Sequence, residues 1–322
     1  MKNQKTAKNK KRGSASTIIL VAIFLVGLSV LLYPTISDFH NSKRQSQAIV
    51  DYDKLVTELT PEDYSAYFDQ ANTYNQKLKN MSFPFLSYSN LDEEYHDTLD
   101  VNGNGMIGYI SIEKIKVQLP IYHGTSDTVL NTAVGHVEGS TLPIGGESTH
   151  SVLSAHRGLP SAKLFTNLDK LEIGDVFTIR VLDQTFTYQV DQILIVLPKE
   201  TGPLGIETGE DHCTLVTCTP YGINTHRMLV RGTRIENIEQ DTVIGVNTEA
   251  YQIDPLIVTP AVAAPILAVL LIVLLVRNRN QKTGKKKRKA AQNQPEEIPQ
   301  DDTPEDEEVT LITDTEEPSE QP

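Results

Sequence analysis

Thr214-Leu215-Val216-Thr217-Cys218 is a short β-branched run that ends in a thiol; Thr219-Pro220-Tyr221-Gly222 turns the chain, and Arg227 follows nine residues after the cysteine. β-Branched residues favour extended backbone, and a Pro-x-Gly sequence marks a reversal. The spacing predicts two neighbouring strands whose ends present a nucleophile and a fixed positive charge. A thiol in an apolar strand is ordinarily a packed core group. Its place at the strand end, ahead of a returning guanidinium, sets Cys218 apart. His156, in Ser154-Ala155-His156-Arg157-Gly158, closes another apolar run. Imidazole is the side chain most often used for general acid–base work. Cys218, His156 and Arg227 together point to acyl transfer through a thioester, with the Thr217 hydroxyl and nearby backbone N–H groups as supporting donors.

Other histidines compete for the acid–base role: His123, His136, His150, His212 and His226. His226 directly precedes Arg227 and faces the other way if the strand has begun. His212 shares the face of Cys218 but lies about 20 Å along an extended strand. Spacing alone therefore leaves His156 one candidate among several. Cys213 and Cys218 are the two cysteines. Five residues apart on a strand, they point to opposite faces and are not expected to bridge. His212, Cys213 and Cys218 are conceivable zinc ligands, but the Cys-x4-Cys spacing is loose and no second pair follows, so no metal is expected.

Outward from this stretch, residues 106–235 read mostly as β. Runs rich in Ile, Val, Thr and Tyr at 107–112, 115–121, 150–155, 176–181, 186–197, 212–218 and 227–234 are separated by Gly145-Gly146, Gly174-Asp175 and Asp183-Gln184. Seven or so short strands predict a closed barrel or a sandwich. A short helix is predicted over Ala162–Leu171, with Leu164, Phe165 and Leu168 inward. Residues 35–80 are polar with helical spacing and predict two helices, the second opened by Thr60-Pro61-Glu62-Asp63. Ser82-Phe83-Pro84-Phe85 interrupts that pattern, and Asn102-Gly103-Asn104-Gly105 predicts a turn.

Two uncharged apolar runs, 15–33 and 256–276, lie near the ends of the 322-residue chain. Each is about long enough for a 30 Å hydrocarbon layer. Six Lys and Arg precede the first and eight follow the second, so both termini are expected in the cytoplasm and residues 34–255 outside. No small-x-small site follows the first run before Tyr33-Pro34, which favours an uncleaved anchor in the lipid bilayer. The outer segment holds 30 acids against 15 Lys and Arg, which argues against nucleic acid as a partner. The expected organisation is a cytoplasmic basic segment (1–14), a transmembrane helix (15–33), a helical approach segment (34–104), a mostly β domain carrying the candidate site (105–240), a linker (241–255), a second transmembrane helix (256–276) and a basic then acidic cytoplasmic tail (277–322).

These residues resemble the sortase family, and within it the pilin-polymerising class C group. The resemblance rests on Thr214-Leu215-Val216-Thr217-Cys218-Thr219-Pro220-Tyr221-Gly222 with Asn224-Thr225-His226-Arg227. It extends to Pro120-Ile121-Tyr122-His123-Gly124-Thr125 and to His156-Arg157-Gly158-Leu159-Pro160-Ser161-Ala162-Lys163-Leu164-Phe165. It covers about residues 40–275. What it implies is an eight-stranded β-barrel with N-terminal helices and a Cys–His–Arg site. Cys218 would attack the Thr carbonyl of an LPxTG-like signal, and a Lys of another pilin would resolve the thioester into an isopeptide bond. His156 would serve the leaving and incoming amines, and Arg227 the carbonyl or oxyanion. No cofactor is implied, since one amide replaces another. The implied partners are pilins or surface proteins that bear such signals and an acceptor Lys. The alternatives are a cell-wall-anchoring sortase that uses a peptidoglycan amine, and a non-catalytic surface assembly scaffold. One departure is visible: pilin sortases of this class often carry an Asp-Pro-aromatic lid, whereas the corresponding region here reads Ser82-Phe83-Pro84-Phe85, without the acid. Phe85, or else Phe83, is expected to plug the groove without an ion pair to Arg227.

Overall fold

The structure, a computed structural model, describes residues 12–79, 92–237, 264–269 and 271–273. Helix α1 (Arg12–Thr57) runs unbroken from the first apolar run, through Pro34, into the polar approach segment. Helix α2 (Pro61–Lys79) follows. Its start is a capping box: the Asp63 N–H donates to Thr60 Oγ1 at 3.3 Å, and the Thr60 N–H donates to Asp63 Oδ2 at 2.9 Å. A short helix α3 (Asp92–Asp97) precedes the barrel, and α4 (Asp127–Leu130) lies within it.

Eight strands close the barrel: β1 (Met106–Ile112), β2 (Val117–His123), β3 (Val134–His136), β4 (Thr149–Ser154), β5 (Val176–Val181), β6 (Gln184–Val196), β7 (Asp211–Thr219) and β8 (His226–Ile235). Their order is β1-β2-β3-β4-β7-β8-β6-β5, and β5 pairs back onto β1. The β2–β3 and β4–β7 pairs are parallel and the rest antiparallel. Alternation fills the interior with Ile110, Leu119, Ile121, Leu153, Phe177, Ile179, Tyr188, Leu215 and Val230. Phe177 and Tyr188 stack at 5.5 Å, and they pass so close to Gly232 that a Cβ there would lie 2.7 Å from the Phe177 ring.

Two expectations are corrected. Strand β3 was not foreseen: it is three residues long and contains Gly135, where a Cβ would sit 2.3 Å from the Gly124 carbonyl oxygen. The helix over Ala162–Leu171 is instead a series of turns with a single 3₁₀ turn at Leu168–Lys170. Its amides are claimed from elsewhere: the Lys163 N–H donates to Asp38 Oδ1 and the Phe165 N–H to the His156 carbonyl, while Leu164 has φ +40°. Leu164, Phe165 and Leu168 are nevertheless buried.

The helices dock through polar side chains placed at barrel ends. Tyr52 donates to the Ile107 carbonyl and accepts from the Leu182 N–H, both at 2.9 Å, and burial raises its pKa. Asn75 on α2 exchanges hydrogen bonds with both backbone groups of Leu142. Tyr95 on α3 accepts from the Gly124 N–H and meets His136 Nδ1 at 2.9 Å. His136 Nε2 lies 2.9 Å from the Thr141 carbonyl and so carries the proton, leaving Nδ1 to accept from Tyr95.

Among the described residues one helix, Ile19–Thr57 within α1, is long and apolar enough to cross a membrane. Beyond the barrel the described residues form a short apolar helical stretch, Ala264–Val273. The rest of the 256–276 run, the 241–255 linker, residues 1–11 and residues 277–322 lie outside the described residues, as do Phe83, Pro84 and Phe85.

Candidate active site

Strand register brings the three sequence candidates into one row. β4 runs parallel to β7, with Ser154 opposite Val216 as the last ladder pair. Two bonds carry that alignment past the end of β4: the Ala155 N–H donates to the Val216 carbonyl at 3.1 Å, and Thr217 Oγ1 donates to the Ala155 carbonyl at 2.8 Å. His156 therefore emerges beside Cys218. On the other side β8 runs antiparallel to β7, with Arg227 directly opposite Cys218. Neighbouring strands are about 4.8 Å apart, so the three Cα atoms occupy adjacent sites across β4, β7 and β8. All three side chains point outward, because Leu153, Ala155, Leu215 and Met228 at alternate positions belong to the core. Each is half-exposed.

Arg227 is held by backbone carbonyls: its Nη1 donates to Asn224 O at 3.2 Å and to His226 O at 3.1 Å. The guanidinium is thus held at the β7–β8 turn by backbone carbonyls. Thr217 does not face the cleft. It is buried, and its hydroxyl is spent on the Ala155 carbonyl, so it is a strut between β4 and β7 rather than an oxyanion donor. The zinc candidates also fail to converge. Cys213 is 0% exposed inside the barrel while His212 and Cys218 face out, and both thiols are free. Burial, with Asp211 nearby, pushes the Cys213 thiol well up. Among the described residues no group of three or more His, Cys, Asp or Glu could hold a metal.

Below the row, the outer face of the sheet is covered. Val152 and Thr214 face outward by alternation yet are buried. The 197–210 connection is pinned to this face at two points. His150 Nδ1 meets the Gly205 carbonyl at 2.8 Å while its Nε2 meets Thr214 Oγ1 at 2.7 Å, so Nδ1 carries the proton. Arg231 reaches Glu207 at 2.7 Å and Asp191 at 2.6 Å. Burial, opposed by the bond to Gly205, lowers the His150 pKa to about 4. The His150 ring lies 5.5 Å from that of His212, whose pKa is lowered by burial and then by Arg231. His123 and His136 lie at the α3 contact, and the His226 Nδ1 pairs with Thr225 Oγ1. Of the histidines weighed, His156 alone borders Cys218 by register.

Sequence reasoning missed Arg157 and Gly158. Arg157, 9% exposed, pairs with Asp169 at 2.7 Å, donates to Thr219 Oγ1 at 3.3 Å and lies 6.0 Å from the Tyr221 ring centroid. It ties the segment after His156 to the segment after Cys218. Gly158, at φ +76°, leaves room for Tyr221: a Cβ would meet that ring at 2.9 Å. The only sequence signal was adjacency to His156.

A closed eight-stranded barrel with a thiol, an imidazole and a guanidinium in one row at its rim defines the class of protein. A family model described as the sortase domain matches residues 110–235. Sortase D of Bacillus subtilis is 30% identical over 131 residues, which is 40% of this chain and 63% of that protein. Sortase A of Streptococcus agalactiae is 27% identical over 150 residues, 45% and 60% of the two chains. The match thus spans less than two thirds of these relatives' lengths. The crystal structure of sortase C1 from Streptococcus agalactiae is 51% identical with a TM-score of 0.58, covering 60% of this chain and all of that one. Sortase C of Streptococcus pneumoniae is 42% identical with a TM-score of 0.53, over 59% and 97%. The chain belongs to the sortase family, whose members are cysteine transpeptidases, and both of these solved neighbours are class C sortases.

Proposed function

We propose that this chain is a membrane-anchored transpeptidase that cleaves LPxTG-like sorting signals and joins pilin subunits through Lys isopeptide bonds. The row His156–Cys218–Arg227 carries the reading. Cys218 Sγ attacks the Thr carbonyl carbon, and its proton passes to His156. Arg227 donates to the oxygen as charge develops there, the position where a preorganised donor contributes most. The amide C–N bond breaks, and His156 returns the proton to the leaving amine. The thioester is then attacked by a Lys amine: a new C–N bond forms, the C–S bond breaks, and the amine proton returns through His156 to the sulfur. One amide is exchanged for another, so the sequence closes with no cofactor. α1 supplies the anchor, with the barrel outside, and the 256–276 run supplies a second span that brings both termini to the cytoplasm.

The test is intact-mass analysis of the barrel segment mixed with an LPxTG peptide. An acyl adduct on Cys218 that is absent from Cys218→Ala is expected. Resolution by a pilin-derived Lys peptide in preference to a glycine amine supports polymerisation, whereas the reverse preference makes the chain a cell-wall-anchoring enzyme. Absence of an adduct with any sorting peptide would make it a scaffold.

A further inference from the structure

Helix α1 meets the barrel in a fixed order. Asp38 accepts from the Lys163 N–H at 2.9 Å, and Asn41 donates to the Ser161 carbonyl at 2.8 Å. Gln45 then donates to the Thr132 carbonyl, ahead of β3, and Tyr52 reaches Ile107 and Leu182 at the start of β1 and the end of β5. The helix therefore descends from the end of the barrel where β4, β6 and β7 finish and β8 begins. That is the end with His156, Cys218 and Arg227. The apolar run lies upstream on the same helix and leaves past that end. From Tyr33 to Asp38 and Asn41 is five to eight residues, or about 8–12 Å of helix, comparable to one headgroup layer. Tyr33, Ile36 and Phe39 stand exposed along this stretch, suited to an interfacial zone.

A second observation is independent of the helix. Among the described residues of the barrel and its loops, the large apolar side chains left exposed are Ile173, Ile195, Leu197, Tyr221 and Ile223. All five lie at the same end: ahead of β5, at the close of β6, and in the β7–β8 turn. Scattered apolar exposure is ordinary, whereas confinement to one rim beside a membrane-leaving helix marks a surface that meets lipid.

We propose that this rim rests on the outer surface of the bilayer, so that Cys218 works at the headgroup layer and takes a membrane-tethered substrate close to where that chain leaves the lipid. The inference rests on the anchored-transpeptidase reading and adds where in space the exchange occurs. The barrel's far end, at the Asp183 turn, points away from the membrane.

The full chain in phosphatidylglycerol vesicles tests this without turnover. A donor dye on Cys218 is compared with one on Asp183→Cys in a Cys218→Ala background, with headgroup-labelled lipid as acceptor. Greater transfer from Cys218 is expected; equal or smaller transfer overturns the proposal. A seven-residue helical insertion after Thr35 lifts the barrel about 10 Å with little rotation. It should lower turnover of a vesicle-tethered LPxTG substrate at least tenfold and leave a soluble LPxTG peptide within twofold. Unchanged tethered turnover would overturn the proposal. Failure of the uninserted chain on the soluble peptide would sink the transpeptidase reading instead, while the dye ranking still decides the geometry. Failure to float with vesicles would sink the anchor and this inference together.

Discussion

On β7, Cys213, Leu215 and Thr217 face the barrel interior, whereas His212, Thr214, Val216 and Cys218 face out. The two faces carry the same residue types, a cysteine and threonines, in opposite circumstances. Inside, Cys213 is wholly buried with its thiol pKa raised by desolvation, and Thr217 gives its hydroxyl to the Ala155 carbonyl. Outside, Cys218 is half-exposed and has Arg227 across the ladder. Residue type alone therefore does not decide reactivity. The two-residue period of the strand and the neighbours supplied by β4 and β8 do.

The sharpest way to break this contrast is to exchange the thiols' fates. Cys218→Ala should remove the acyl adduct and lower transfer on the order of 10⁴-fold or more, with the melting temperature unchanged. Iodoacetamide should label the native chain at Cys218 and leave Cys213 unmodified, as peptide mapping would show. Labelling at Cys213 would mean that the inner face is open.

Acid should attack the fold through buried imidazoles away from the site, His136 at the α3 contact and His150 opposite His212. Burial holds His136 to about 3 and His150 to about 4. The unfolded chain takes up these protons below about 6.5 and the folded chain does so only near those lower values. Stability is thus fully present above pH 6.5 and lost as the pH falls toward 4, by roughly 1.4 kcal/mol per pH unit for each histidine. Thermal melts from pH 7 to 4.5 read the slope, and a flat profile would show that these rings are not confined.

Arg227→Lys keeps the charge and loses the planar fork. Transfer should fall on the order of 10²-fold, in turnover more than in peptide binding. Cys213→Ser buries a hydroxyl in the core and should cost about 1–3 kcal/mol of stability, with activity per folded molecule retained. Gly158→Ala is the mildest change. Its positive φ costs about 1 kcal/mol, and the Tyr221 ring must swing aside, so turnover should drop a few-fold and recover in part with Tyr221→Ala. Full activity in Gly158→Ala would remove the close approach of the two loops from the account.

Much of this arrangement was legible in the sequence because it depends on local alternation. The run 212–218 as a strand, the opposite faces of Cys213 and Cys218 and the Thr60 helix start follow from period and propensity; Leu164, Phe165 and Leu168 are buried as expected, but on turns and not on the expected helix. What escaped depends on distant partners. Gly135 enters β3 because another backbone passes against it, and Lys163 and Phe165 give their amides to Asp38 and His156 instead of to a helix. Thr217 looked like a donor to substrate, and only the parallel neighbour Ala155 shows where its hydroxyl goes.

Parallel pairing of β4 with β7 has a consequence in time as well as in space. The groups it aligns are 62 residues apart in the chain, with β5 and β6 synthesised between them. A contact of such long range closes late, after the intervening loop has been ordered. On the proposed mechanism, a chain still threading outward carries its sulfur without an imidazole beside it, and it becomes competent only once the ring of strands has shut. Folding itself then acts as the activation step.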